Sequence, residues 1–360
     1  MSALFRPYSW LHRCWLVSKD RSMENYQTIC SRLLAGLPDK PREILSRRFG
    51  LQKNQDPQTL QEIGAFLGLT RERVRQIESE SLHKLGSVAL AHKPARDLIN
   101  SVKKNLQMAG GFKREDLLVS AMAKKEFRNC FLLILNLCPG IFRFSANKDF
   151  FAFWADDKTA AKKISPLLAK LAGFFNDLKT PTTKKDVYNL FAKQPQCLVD
   201  SLLEISQMVD IGPLGDVGLT VWPDIKPRGA RDAAYLVLKN AKKPLHFKEI
   251  AQLSRTIDSE FFQRKKILTQ TLHNELIKDP QFILVGRGIY SLRNWGYASG
   301  TVKDVIADVL KESSGPLTRE QISQKVSSRK IIQPNTIFLN LANKRHFTRD
   351  NQGRYTLKEI

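Results

Sequence analysis

Residues 59–85, TLQEIGAFLGLTRERVRQIESESLHKL, constrain this chain more than any other stretch, because they hold two helical patterns with room for only a tight turn between them. Leu60, Ile63 and Leu67 recur at the spacing of one helix face, and Gly68 supplies the left-handed or tight backbone that ends a helix. Thr70 then offers an N-cap. Val74, Ile77, Ser81 and Leu85 line one side of a second helix, leaving Glu72, Arg75, Gln76 and Ser79 on the other. The pattern is a helix-turn-helix. Its polar face can enter a groove of duplex DNA: arginine pairs bidentately with guanine, glutamine with adenine, and a carboxylate accepts from the cytosine amine. Arg71, Glu72 and Gln76 in the first turns are the candidate base readers, and Arg73 and Arg75 suit phosphates. Thr59 and Thr70, at the starts of the two helices, complete the candidate DNA-binding set. The same residues also fit a solvated helix whose arginines and glutamates, three or four apart, serve only one another.

LPDKPREILSRRFGL from Leu37, followed by the helix-turn-helix, resembles region 4 of the sigma-70 family of bacterial sigma factors over about residues 33–86. The resemblance is carried by Leu37-Pro38, Arg48-Phe49-Gly50-Leu51, Glu62-Ile63-Gly64 and the run Arg71-Glu72-Arg73-Val74-Arg75-Gln76-Ile77-Glu78. It implies that the second helix reads the promoter's upstream hexamer, and that the domain grips the flap of the beta subunit of core RNA polymerase through residues 37–58. Within that half, a short helix is expected from Pro41 to Phe49, with Ile44 and Phe49 read as core.

The chain of 360 residues is long enough for several domains, and its formal net charge is +23. Residues 37–86 hold nine Lys/Arg against seven Asp/Glu and contribute only +2, and residues 1–36 add +3, so +18 lies downstream. A basic balance spread that widely fits a polyanion, nucleic acid rather than membrane, although solubility accounts for part of it. The five cysteines include no CxxC pair and the six histidines show no ligand spacing, so neither a disulfide framework, a metal nor a cofactor is expected, and a reducing cytoplasm is. The apolar run near the N-terminus is too short for a signal core or a membrane span. Residues 1–24 are read as a leader that is disordered or untranslated, with Met23 as the expected initiator.

Beyond His92 the chain repeats. Gly111-Phe112, Pro181-Thr182, Pro244-Leu245 and Pro316-Leu317 each begin six residues ahead of an apolar position, Leu117, Val187, Ile250 and Ile322, and the starts are 70, 63 and 72 residues apart. A helical stretch and then a hairpin-like pair follow each: FRFSANKDFFAFW, VDIGPLGDVGLTVW, FILVGRGIYSLRNW and FTRDNQGRYTL. With a helix ahead of each lead-in, this is the order of a winged helix. The expected fold class is therefore mainly α, a helix-turn-helix domain at 25–92 followed by tandem winged-helix (α+β) modules at 93–157, 158–226, 227–297 and 298–360. The module at about 229–297 resembles a HARE-HTH domain, which implies a nucleic-acid or polymerase context. There Lys265 and Lys266 fall on the expected third helix and Arg287 at the wing tip, where they could reach phosphate or the minor groove; a solvated face is the other reading. The apolar FRNCFLLILNL of the first module is expected to be buried. In the last, Asn335, Asn340, Asn343, Lys344 and Arg345 are offered as DNA contacts or as a merely solvated face.

No converging carboxylates and no phosphate-binding glycine loop are present, so no enzyme activity and no small-molecule substrate are expected. Only 36 residues precede Leu37, too few for the long helical domain with which a sigma factor opens DNA, so autonomous promoter melting is not expected. The reading is a sequence-specific DNA-binding transcription factor that acts with bacterial RNA polymerase on double-stranded promoter DNA. The alternative is a polymerase-associated scaffold, delta-subunit-like, whose winged helices bind protein.

Overall fold

The computed structural model describes residues 26–52, 56–257 and 267–358. Four helices come first: α1 (Tyr26–Ala35), α2 (Asp39–Arg48), α3 (Leu60–Leu67) and α4 (Arg71–Ala91). The next segment is α5 (Lys93–Met108), β1 (Phe112–Arg114), α6 (Glu115–Met122), α7 (Arg128–Asn136), β2 (Phe142–Phe144) and β3 (Phe153–Ala155). After it come α8 (Ala160–Leu178), α9 (Lys184–Leu190), α10 (Gln196–Ile205), β4 (Val209–Ile211) and β5 (Val217–Leu219). The third has α11 (Ala230–Ala241), β6 (Leu245–His246), α12 (Phe247–Ser254), α13 (Thr269–Lys278), β7 (Phe282–Gly286) and β8 (Ile289–Leu292). The last has α14 (Val302–Lys311), α15 (Arg319–Arg329), α16 (Pro334–Leu341), β9 (Phe347–Arg349) and β10 (Tyr355–Leu357). The fold is mainly α, with a helix-turn-helix region followed by small winged modules whose sheets hold two or three strands.

The sequence repeat has a structural meaning. Each lead-in pairs antiparallel with the second hairpin strand: Phe112 with Ala155 and Leu245 with Tyr290 in full strands, Thr182 with Val217 and Leu317 with Tyr355 as single bridges. The helix that follows each lead-in then drives its apolar residue into the core, and Val187, Ile250 and Ile322 are all fully buried. In the first module the buried position is Leu118, one place past the repeat's Leu117, because β1 runs for three residues and delays the helix. The Lys93-Pro94 pair, read as a break, opens α5 directly: His92 caps both α4 and α5, and Pro94 sits in the first turn, where its missing N–H is not needed.

By compactness the described chain divides into two units, 26–211 with 215–221, and 212–214 with 222–358. In the first unit, one apolar cluster unites Tyr26, Ile29, Leu33, Leu45, Leu85 and Ala89 with Ile99, Leu106, Leu118, Phe131, Ile134 and Trp154. Segments 25–92 and 93–157, distinct in sequence, therefore share a core. α7 is buried, as its composition demanded: Tyr26 meets Phe131 edge-on at 5.7 Å and donates to the Met122 carbonyl at 2.6 Å. α10 is held against the preceding module. Ser201 donates to the Ala109 carbonyl, and Arg114 donates to the Glu204 carbonyl. Gly110, at φ +80°, has no room for a Cβ, which would stand 2.7 Å from the Leu198 Cα. In the second unit, Lys330 donates to the carbonyls of Leu284 and Gly300, and Ile331 to that of Val285. These bonds join the third module to the last.

The polar bond at the α10 seam is an ion pair, Lys113 Nζ to Glu204 Oε1 at 2.7 Å, with both side chains about nine-tenths buried. Burial pushes the Glu204 carboxyl above its ordinary range, and its second oxygen has no partner among the described residues. Removing the cation alone strands a buried carboxylate. Lys113→Met should lower stability by about 3–5 kcal/mol, while Lys113→Met with Glu204→Leu should recover most of the loss. Urea denaturation of the two variants measures both; equal losses would show that the pair itself holds the seam.

Candidate nucleic-acid interface

Each motif residue of the helix-turn-helix has a local job. Leu37 is buried, and Arg42 donates to the Leu37 and Leu34 carbonyls at 2.7 and 3.2 Å, which fixes the turn from α1 into α2. Arg48 is a clamp: its Nε donates to Glu78 on α4 at 3.1 Å and its Nη1 to the Gln58 carbonyl at 3.0 Å. Phe49 and Leu51 pack against the large cluster, and Ile44, Ile63 and Val74 make a small core of their own between α2, α3 and α4. Thr59 and Glu62 form a capping box. The Thr59 N–H and hydroxyl donate to the Glu62 carboxylate at 2.7 and 2.9 Å, and the Glu62 N–H donates back to the Thr59 hydroxyl.

The turn between α3 and α4 is tight because two glycines permit it. Gly68 sits at φ 65°, ψ 35° and closes α3, while a Cβ on buried Gly64 would stand 2.6 Å from the Leu69 carbonyl oxygen. Thr70 then caps α4 by accepting from the Arg73 N–H at 3.2 Å. Val74 is fully buried, and with it Ser81 and Leu85, so the first turns of α4 present Arg71, Glu72, Arg73, Arg75 and Gln76 to solvent, all exposed.

These side chains pair along the helix. Arg75 donates twice to Glu72, at 2.9 and 2.7 Å, and Arg73 donates to Gln76 at 3.2 Å. The Arg75 hydrogen bonds hold the Glu72 carboxyl below its ordinary range. Exposed pairs of this kind contribute little, so each can be exchanged for a base edge or a phosphate at little cost.

Residues 33–86 match the family model for Sigma-70, region 4. The chain is 48% identical over 62 residues to the RNA polymerase sigma-C factor of Nostoc sp., covering 17% of this chain and 15% of that protein. It is 41% identical over 64 residues to the RNA polymerase sigma factor RpoD of Helicobacter pylori, covering 18% of this chain and 10% of that one. These matches cover less than a fifth of this chain and a small part of each relative.

Of the residues expected to touch DNA, Thr59 caps α3, Thr70 caps α4, and Arg71, Glu72, Arg73, Arg75 and Gln76 lie exposed on the first turns of α4. Arg287 is exposed in the β7–β8 turn of the other unit. Lys265 and Lys266 lie outside the described residues. Sequence reading missed the Arg48 clamp and Phe66, which is 61% exposed under the Arg47 guanidinium at 3.5 Å. Phe66 was legible as the one large apolar residue of α3 off the Leu60, Ile63 and Leu67 face.

Gly64→Ala should cost about 1–3 kcal/mol, because the carbonyl it meets belongs to the turn and can retreat only by moving α4. Loss of the same amount of DNA affinity as of stability, read by urea denaturation beside a binding titration, would show that the turn sets both. The Glu62 cap is also pH-dependent. The bonds from Thr59 lower its carboxyl below 4.5, so the stabilisation is present above that value and is lost as pH falls through the lower folded one. The difference in stability between the wild type and Glu62→Ala should be constant at neutral pH and shrink below pH 4.5; a difference unchanged in acid would exclude the carboxylate as its source.

Proposed function

We propose that this chain is a sequence-specific DNA-binding protein that reads promoter DNA through the start of α4 and works with bacterial RNA polymerase, in the cytoplasm, in transcription initiation or its regulation. The observation that carries the reading is the exposed Arg71, Glu72, Arg73, Arg75 and Gln76 row on a capped helix, within a segment that matches sigma-70 region 4. Partial positive charge at the helix N-terminus favours the approach to phosphate. Arg71 and Gln76 meet base edges, Arg73 and Arg75 the backbone, and Glu72 acts by exclusion, since a carboxylate near DNA is costly unless a cytosine amine faces it. Residues 37–58 supply the polymerase contact, at the beta flap. The reading assigns no catalysis to the chain. Among the described residues no helix is long and apolar enough to cross a membrane.

A second reading, a polymerase-associated scaffold, is favoured by α7 and α10, whose surfaces are used to pack against the chain itself. The two readings separate in one binding experiment. Arg71→Ala and Gln76→Ala should each cost about 1–3 kcal/mol on the preferred duplex and relax specificity, whereas Arg73→Ala should weaken every sequence alike and flatten the salt dependence. Glu72→Ala should bind scrambled DNA as well as or better than the wild type. Titrations of selected and scrambled duplexes at two salt concentrations decide it: if no variant changes affinity while the protein still binds core polymerase, the scaffold reading stands.

A further inference from the structure

The last module is electrically polarised. Its leading segment, residues 301–312, holds Lys303 and Lys311 against Asp304, Asp308 and Glu312. Residues 313–358, by contrast, hold nine Lys/Arg and only two acids, Glu320 and Asp350. Its ion pairs among the described residues are Arg329 with Glu312 and Arg354 with Asp350, which leaves Lys344 and Arg345 outside them. Both are exposed.

Between these cations lies a helix without charge. Residues 331–343 contain no acid or base, and α16 buries Ile337 and Leu341 while Asn335, Leu339, Ala342 and Asn343 form one exposed stripe. Leu339 is 75% exposed at its centre. Of the expected contacts, Asn340 is turned away, its amide donating to the Thr336 carbonyl of its own helix. Arg319 is pinned at one side with its guanidinium 3.3 Å over Phe338, and the Lys358 N–H donates to the His346 carbonyl, which brings Lys358 beside Arg345. Among the described residues, nothing packs over the exposed stripe of this third helix as α1 packs over α7.

We propose that α16 and its basic flanks are a second binding surface for duplex DNA, separate from α4. The uncharged stripe enters the major groove, with Asn335 at a base edge and Leu339 against thymine methyls; Asn343, whose Oδ1 accepts the Arg345 N–H, offers only its amide N–H, and Lys344 and Arg345 take phosphates at the rim. A helix edge fits the wide major groove of B-form DNA and not the deep, narrow one of A-form RNA. Neutral amides flanked by unpaired cations meet the two needs of a groove contact: nothing on the stripe repels the phosphates, and charge stands where they pass. The surface extends the DNA-binding reading but does not depend on α4 reading a promoter.

The test uses the full chain and a labelled scrambled duplex, titrated by fluorescence anisotropy over a salt series, with thermal melts to check folding. Lys344→Glu with Arg345→Glu should weaken binding tenfold or more at low salt and make the slope of log affinity against log salt shallower by about 2. The milder pair Lys344→Ala and Arg345→Ala should show the same slope change. Leu339→Glu should weaken binding more than Lys311→Glu, although it changes the net charge by less, because only Leu339 enters the groove. Lys303→Glu with Lys311→Glu, on α14 across the core from the stripe, is the charge-matched control and should leave the slope nearly unchanged. Equal losses in the control and the Lys344/Arg345 variant, or an unchanged slope in the latter, would overturn the proposal. Arg71→Ala with Gln76→Ala, run beside them on a selected site, separates the two surfaces: indifference there counts against the α4 reading and leaves this one standing.

Discussion

α4 is one rigid rod shared between two cores, and the geometry of the region-4 segment depends on that sharing. Val74 near its start closes the small cluster with Ile44 and Ile63, and Leu85 and Ala89 near its end lie in the large cluster with α1, α5, α6 and α7. Three residues cannot hold a helix-turn-helix alone, because each fully buried aliphatic side chain contributes only about 1.5–3 kcal/mol before chain entropy is set against it. The continuation of α4 into the next module supplies the remainder. The start of the helix is therefore positioned by packing four turns away, and Arg48, bonded at once to Glu78 and to the Gln58 carbonyl, ties the rod to α2 and to the connection before α3.

The winged modules show one fold put to two uses. In the first two, the third helix is covered: α7 by α1 through Tyr26 and Phe131, α10 by the neighbouring module through Ser201 and the Lys113–Glu204 pair. The polar groups at these seams are buried and bonded, which makes them poor sources of net stability but strict about register, since a slip would leave a charge without its partner. Lys330 does the same between the third and fourth modules. Burial lowers its pKa, and its ammonium is satisfied by two carbonyls from opposite sides of the junction. The third helix of the last module is left with its outer stripe in water.

Much of this was legible in the sequence, and for physical reasons. Helix spacing at Leu60, Ile63 and Leu67, the cap at Thr70 and the stop at Gly68 are local codes, and local structure obeys them. The lead-in repeat was legible because each copy must cross to the second hairpin strand and then start a helix. What the sequence hid was non-local. Nothing in the run from Gln196, not even its Glu204, announces that α10 will be covered, because the evidence for it sits about 90 residues away at Ala109 and Lys113. In the first module the buried residue falls one place past the repeat's Leu117, at Leu118, because strand length sets where α6 begins.

The charge pattern of the recognition row follows from the same division between local and distant forces. Arg75 on Glu72 and Arg73 on Gln76 pair one turn apart, so the row is ordered by its own helix and needs no partner to hold it in shape. Fully exposed, these bonds are weak, and an incoming phosphate can take Arg75 without a buried cavity being left behind. When it does, Glu72 loses the partner that holds its carboxyl low and must find a donor on the DNA or repel it. In the proposed reading, affinity and discrimination are therefore coupled in a single side-chain pair, Arg75 serving the backbone and Glu72 the base.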